Sequence, residues 1–208
     1  MRDNKYLTTI IAGSLLGDGY VSNITRIEGN SRFEFSQIID HTDYVDWFAE
    51  RLGIITSINT SIVHRVANGI NVKQQKVIKT KTHPFYTKFR HRMYPNGHKV
   101  VDPHYLTLLD NEMLAIWYMD DGSLALNTAN SQASVYLYTD NFSYGDNLLL
   151  REALKEKTGF IWNIHKRQSK QGHIKYRLYL YKKQNESFFR YIEPFVLPSF
   201  YYKLSNHV

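Results

Sequence analysis

The chain has 208 residues, 43% of them hydrophobic, and 26 Lys and Arg against 19 Asp and Glu, for a formal net charge of +7. It is long enough for one packed domain or two small ones and too apolar for global disorder. A pI near 9.4 favours a polyanionic partner, nucleic acid above all, and the absence of cysteine excludes disulfides, thiolate catalysis and Cys-based zinc sites.

Taken in order, Ile11-Ala12-Gly13-Ser14-Leu15-Leu16 reads as an apolar helix that stops at Gly17-Asp18-Gly19. It lacks a basic lead and a small-residue cleavage site, and no stretch approaches the ~18 uninterrupted apolar residues that cross a bilayer. A soluble, intracellular protein without a membrane partner is therefore expected. A hairpin follows, 20–24 with 32–37. Thr42 or Asp43 then caps a short helix with Tyr44, Trp47, Phe48 and Leu52 on one face and Gly53 at its end. A second hairpin, 58–66 with 71–80, turns at Ala67-Asn68-Gly69. A helix over 84–93 closes this unit before Pro95. Asp102-Pro103 breaks regular structure, so 102–111 reads as a linker between a first unit, 1–101, and a second, 112–208.

The second unit repeats the order. Leu114-Ala115-Ile116-Trp117-Tyr118-Met119-Asp120-Asp121-Gly122 is again apolar and ends in Asp-Gly. A hairpin (123–126 with 134–139) leads to a helix capped by Ser143, with Leu149, Leu150 and Leu154 apolar and Gly159 at its end. A second hairpin (162–167 with 174–181) turns at Lys170-Gln171-Gly172, and a helix over 186–192 precedes Pro198. Asp18 and Asp121, Phe85 and Phe188, and Pro95 and Pro198 are each 103 residues apart, and Lys99 and Lys203 are 104 apart. Offsets this constant mean two copies of one αββαββα unit, an α+β molecule with pseudo-twofold symmetry.

Strand alternation assigns faces. Ile174, Tyr176, Leu178 and Leu180 point one way, and Lys175, Arg177, Tyr179 and Tyr181 the other. In the first unit Lys73, Gln75, Lys79 and Lys81 share a side. Lys166 and Arg167 are adjacent, so only one can face with the others; Arg26 and Arg32 in the first hairpin complete the basic set. Arg, Lys and Gln are the side chains that contact phosphates and base edges, whereas the ordinary alternative is a solvated sheet face.

The two Asp-Gly ends carry the chemistry. A helix C-terminus is partially negative, so an Asp there is unfavourable unless something positive binds it. Two such helices, each delivering a carboxylate at the same end, suit a divalent metal, and Mg²⁺ held this way serves phosphodiester hydrolysis. Asp120 competes with Asp121 as ligand, but Gly17 stands opposite Asp120 in the repeat, which favours Asp121. Lys99 and Lys203 occupy equivalent places, fit to polarise a water network or steady a phosphate; the alternative is a pair of surface lysines. Gly13 and Gly17 lie on one helix face and permit close approach of a partner helix, where Ala115 and the bulkier Met119 make the contact asymmetric. There is no P-loop, no nucleotide-binding glycine fingerprint and no His-Glu-x-x-His.

The segments at 11–19 and 114–122, within this repeat, resemble the LAGLIDADG homing endonucleases, specifically single-chain, two-motif, intron-encoded members. The likeness covers essentially the whole chain. It departs at Ser14, Leu16 and Gly17 in the first motif and at Ile116, Trp117 and Asp120 in the second, and it keeps both final aspartates. The resemblance implies that the motif helices pack together at the centre and that two antiparallel four-stranded sheets form a saddle over the DNA major groove. It implies Mg²⁺ at Asp18 and Asp121, two or more ions, helped by main-chain carbonyls near Gly17 and Asp120. It further implies Mn²⁺ as a substitute and Ca²⁺ supporting binding without cleavage. Lys99 and Lys203 match the family's water-network lysines. Gln37 matches its early-strand polar residue, for which the second half offers Thr139 or Asp140. The implied partner is double-stranded DNA bound by a monomer, with its own intron RNA as an alternative partner if the chain is a maturase. The implied setting is an organelle matrix or the cytoplasm of a bacterium or phage-infected cell.

Overall fold

The structure, a computed structural model, describes residues 2–24, 29–67, 71–127, 132–169 and 171–204. The first half comprises α1 (Arg2–Leu16), β1 (Tyr20–Val21), β2 (Phe33–Ile38), α2 (Thr42–Leu52), β3 (Ile58–Ala67), β4 (Asn71–Thr80) and α3 (Pro84–Met93). A one-turn helix, α4 (Pro103–Leu106), lies in the connection read as a linker, and Asp102 caps it. The second half comprises α5 (Asn111–Asp121), β5 (Gly122–Asn127), β6 (Gln132–Leu137), α6 (Tyr144–Thr158), β7 (Trp162–Gln168), β8 (Ile174–Leu180) and α7 (Asn185–Ile192), followed by a 3₁₀ turn, Pro198–Lys203. The order αββαββα thus occurs twice. The two four-stranded antiparallel sheets run β1-β2-β4-β3 and β5-β6-β8-β7. Among the described residues no helix is long and apolar enough to cross a membrane.

The centre is the α1–α5 seam. Every residue from Met113 to Met119 is buried, so α5 is covered on all sides, as its unbroken apolar run requires. Gly13 lies against Met113 and Ile116, and Gly17 against Asp120, so the two helices run parallel and end together. A Cβ on Gly13 would come within 2.9 Å of the Met113 carbonyl, and one on Gly17 within 2.3 Å of the Asp120 Cβ. The close approach read from the glycine spacing is present, with Asp120 rather than Met119 facing Gly17. Ile10, Ile11 and Leu15 meet Leu114, Ile116 and Trp117 in the same fully buried core. Each such side chain is worth about 1.5–3 kcal/mol relative to exposure.

Each sheet is covered on one face. Phe33, Phe35 and Ile78 pack under Tyr44 and Phe48 of α2, and the corresponding core of the second half contains Val135, Leu137, Leu178 and Leu180 with Leu150 and Leu154 of α6. The second-half helix starts as its sequence implies. The Ser143 hydroxyl accepts the Asp146 N–H at 3.1 Å, and the Asp146 carboxylate accepts the Ser143 N–H at 3.1 Å, closing a capping box. Ser143→Ala should cost about 1 kcal/mol, read as a shift in the denaturant midpoint at constant slope. The helix ends at Gly159, whose φ of 74° is left-handed.

The first-half helix differs from expectation. A 3₁₀ turn at Ile39–His41 runs straight into α2, so His41 is its N-cap and makes no side-chain bond. The Thr42 hydroxyl instead donates back to the Ile39 carbonyl at 2.6 Å, and Asp43, inside the first turn rather than at the cap, accepts the Tyr44 N–H at 2.9 Å. Leu149 of α6 is exposed, while Asn147 is fully buried.

Candidate active site

Because α1 and α5 are parallel, Asp18 and Asp121 emerge at the same end of the seam, one just past α1 and the other the last residue of α5. Gln37, at the end of β2, donates from Nε2 to the Asp18 Oδ2 at 2.6 Å. The Lys99 Nζ, carried past α3, donates to the Gly17 and Gly19 carbonyls at 2.9 and 2.8 Å. Lys203, at the end of the 3₁₀ turn, donates to the Met119 carbonyl at 2.6 Å, and Tyr118 donates to the Lys203 carbonyl at 2.9 Å. Both lysines therefore anchor on the main chain of their own half's motif.

The electrostatics crosses between the halves. Asp18 is exposed at the floor of a groove but closely surrounded, and that desolvation raises its pKa. The Gln37 bond opposes the rise, then Lys203, then Lys99. Asp121 is pushed up to about 7 by burial and then by the charge of Asp18, with Lys99 opposing more strongly than Lys203. Of the pair Asp18 and Asp121, each lysine thus acts more on the other half's aspartate than on its own, while Lys203 acts most on Asp120 of its own half. Burial lowers the pKa of Lys99 and Lys203 while the three nearby carboxylates oppose that shift.

Asp120 is the third of these carboxylates. Its Oδ2 accepts the Asp18 main-chain N–H at 3.2 Å, and its Oδ1 accepts the Tyr44 hydroxyl at 3.0 Å. Burial, then Asp18 and Asp121, hold it well above the ordinary carboxylate range. Among the described residues the Asp121 carboxylate accepts no hydrogen bond. Neither second-half candidate for the role of Gln37 reaches it: Thr139 is fully buried and donates to Asn147 at 2.6 Å, and Asp140 accepts from Arg177 at 2.8 Å. Asp140 is still close enough to raise the Asp121 pKa.

The donor set offers hard oxygen ligands. Two carboxylates repel each other and main-chain carbonyls lie beside them, an arrangement that fits Mg²⁺. Among the described residues no group of three or more His, Cys, Asp or Glu side chains is placed to hold a metal alone. Main-chain, water or phosphate oxygens would have to complete the shell.

Cross-strand pairing decides which cations share the open faces. In the first sheet Glu34 pairs with Lys79 and Val63 with Gln75, and these, with Lys73, lie opposite the face where Lys76 reaches Asp46 of α2. A groove of about 440 Å³ runs over this open face from Asp18, lined by Tyr20, Glu34, Ser36, Ser61 and Lys79. Arg32 lies 2.7 Å and Lys79 3.6 Å from Glu34, and Lys81 is exposed just beyond β4. In the second sheet Arg167 pairs with Lys175 and His165 with Arg177 on the open face, where Arg177 also stacks 4.2 Å over the Tyr138 ring. Lys166 pairs with Tyr176 on the opposite face and lines a cleft with Tyr144 and Arg151 of α6. It therefore leaves the open-face set, and Arg167 stays. Arg26 lies outside the described residues.

Residues 8–188 match the model of the LAGLIDADG DNA endonuclease family. The chain belongs to that family. It is 28% identical over 208 residues to the DNA endonuclease I-ChuI of Chlamydomonas applanata, spanning 95% of this chain and 93% of that one. It is also 28% identical over 211 residues to the cytochrome b mRNA maturase bI2 of Debaryomyces hansenii, spanning 99% of this chain and 76% of that one. The homing endonuclease I-WcaI, solved bound to its DNA recognition sequence, matches with a TM-score of 0.84 at 22% identity, over 98% of this chain and 88% of that one. That likeness establishes a shared fold.

Two groups in this LAGLIDADG centre escape a reading of the sequence. Tyr44 reads as core because it sits on the apolar face of α2, and only its hydroxyl reaches the centre. Asp120 reads as a rival ligand to Asp121 or as the source of a carbonyl, yet its side chain bridges the halves. The facing of Gly17 and Asp120 in the repeat was the available signal, since a glycine opposite a larger residue leaves room for its side chain.

Proposed function

We propose that this LAGLIDADG chain is a site-specific homing endonuclease that hydrolyses both strands of a long, asymmetric double-stranded DNA target as a Mg²⁺-dependent monomer. The observation that carries this reading is one pair of aspartates, Asp18 and Asp121, delivered together from parallel helices with Lys99 and Lys203 beside them. The two sheets flank that pair with basic open faces. Asp18, Asp121 and the carbonyls of Gly17 and Asp120 are the ligands proposed for Mg²⁺. When bound, Mg²⁺ would neutralise charge on the scissile phosphate and on the leaving oxygen.

The chain's own residues supply the rest. Gln37 fixes the orientation of the Asp18 carboxylate and can donate its second N–H to a water. Lys99 and Lys203 hold the motif main chain and bring positive charge toward the phosphate. On the sheets, Lys73, Gln75, Lys79, Lys81, Arg167, Lys175 and Arg177 are the proposed DNA contacts, with Arg32 at the edge of the first. Two faces that differ in sequence suit a target without palindromic symmetry.

The test is cleavage of a randomised-target DNA library in Mg²⁺ and in Ca²⁺. Cutting at one long sequence in Mg²⁺, with binding but no cutting in Ca²⁺, is the expected result, and Mn²⁺ should replace Mg²⁺. Binding with no cutting in Mg²⁺ or Mn²⁺ overturns the endonuclease reading. For about six to ten phosphate contacts, affinity should fall about 10³–10⁵-fold between roughly 50 and 200 mM salt, measured by filter binding. Similarity to a maturase over 99% of the chain favours a second reading, assistance to splicing by binding its own intron RNA. Gel shift with the transcript that contains its reading frame tests that role.

A further inference from the structure

We propose that the Asp120 carboxylate and the Tyr44 hydroxyl form a strut across the two halves that positions Asp18, so that the two strands of a target depend unequally on this pair. The inference rests on the endonuclease reading above and names the part of that site that makes it asymmetric.

Space comes first. The Asp120 Cβ lies 2.3 Å from where a Cβ on residue 17 would stand, so the side chain enters the centre only because residue 17 is glycine. Both of its oxygens are then used, and both donors come from the other half: Tyr44 from α2 and the Asp18 main chain. α1 has already ended at Leu16, and the N–H groups of Gly17 and Gly19 both turn back to the Ser14 carbonyl. Asp18 lies between them, and among the described residues its N–H is given to Asp120 alone. With Lys99 on the flanking carbonyls and Gln37 on the carboxylate, the strut completes the support of the Asp18 peptide.

Among the described residues Asp121 has no equivalent strut. The residue opposite Asp120 in the repeat is Gly17, which has no side chain to offer. The residue 103 positions on from Tyr44 is Asn147, tied to Thr139 and to the Ser143 carbonyl. Asp121 is instead held by continuity, since α5 passes directly into β5 and the Asp121 carbonyl accepts the Tyr138 N–H at 2.9 Å. Tyr44 is itself fixed by Phe35, Phe48 and Phe200 around its ring. Asp120 and Tyr44 are positioning residues: neither is required to touch DNA, and a misplacement near 1 Å at a reacting group costs on the order of 10²-fold in rate.

The test compares Asp120→Ala, Asp120→Asn and Tyr44→Phe with the unaltered chain in two measurements. The first is amide exchange at Asp18 in the metal-free protein, followed by NMR. Asp120→Ala should accelerate it about tenfold and Tyr44→Phe should do so less. Asp120→Asn should restore protection, because its amide can accept from Asp18 and donate to Tyr44. The second is strand-resolved, single-turnover nicking of the selected target in Mg²⁺. Asp120→Ala should change the ratio of the two nicking rates by at least about fivefold, with Asp120→Asn close to the unaltered ratio. If Asp120→Ala does not fold, Tyr44→Phe decides the matter, since it keeps the ring in the core. Unchanged Asp18 exchange, or equal slowing of both strands, overturns the strut. An unaltered chain that cuts no DNA overturns the endonuclease reading instead, and the exchange comparison still decides whether the strut exists.

Discussion

Asp121→Asn should slow Mg²⁺-dependent cleavage by about a thousandfold while leaving metal-free DNA binding within about threefold. Asn keeps the size and planarity of the side chain, so the end of α5 is unchanged, but it removes a negative ligand from the pair. The same substitution should stabilise the metal-free protein at neutral pH, because it removes a charge that burial and then the repulsion from Asp18 disfavour. Burial and that repulsion place the Asp121 carboxyl at about 7, against about 4 for an aspartate in an unfolded chain. The folded state therefore binds more protons between these values. The contribution of Asp121 to stability is fully present below about pH 4 and is lost as pH rises through about 7. Thermal melts in chelator from pH 5 to pH 8 should show a decline in the unaltered chain that Asp121→Asn flattens. Parallel declines would remove Asp121 as the cause.

Gly17→Ala should cost about 3 kcal/mol of stability, because the new methyl would stand 2.3 Å from the Asp120 Cβ. The obstacle is the root of a side chain on a buried helix, and neither helix of the seam can retreat without opening the core. Cleavage should fall as well, since the displaced segment carries Asp18. Adding Asp120→Gly, which removes that Cβ, should recover part of the loss, because the two residues compete for one space, and contacting pairs are non-additive. Denaturant melts of both single variants and the double variant measure the coupling. Additive costs would mean that the two side chains do not share that space.

The architecture was legible because the chain states it twice. An ambiguous strand in one half is supported by its counterpart 103 residues away, and β8 alternates cleanly enough to assign its own faces. The aspartates were legible because a carboxylate at a helix C-terminus is unfavourable without a cation. What the sequence concealed depends on register and on side-chain reach. Whether Lys166 or Arg167 faces outward follows from pairing with Lys175 across the hairpin, and a one-residue slip would reverse it. The N-terminus of α2 escaped because a preceding 3₁₀ turn leaves no free cap position, so Thr42 bonds backward. The acidic partners Glu34 and Asp140 escaped because a basic face, read strand by strand, gives no hint that carboxylates from neighbouring segments orient its arginines.

The unequal seam also bears on how such a molecule can change. Two copies of the first half, docked as the halves dock here, would set Gly17 against Gly17 and leave a hole where Asp120 now sits. Two copies of the second would set Asp120 against Asp120, forcing two buried carboxylates and two Cβ atoms into a space that holds one. Neither half can replace its neighbour with a copy of itself without repacking the axis. At this one contact the two halves fit as lock and key, and a symmetric pair would need coordinated substitutions on both sides of the seam.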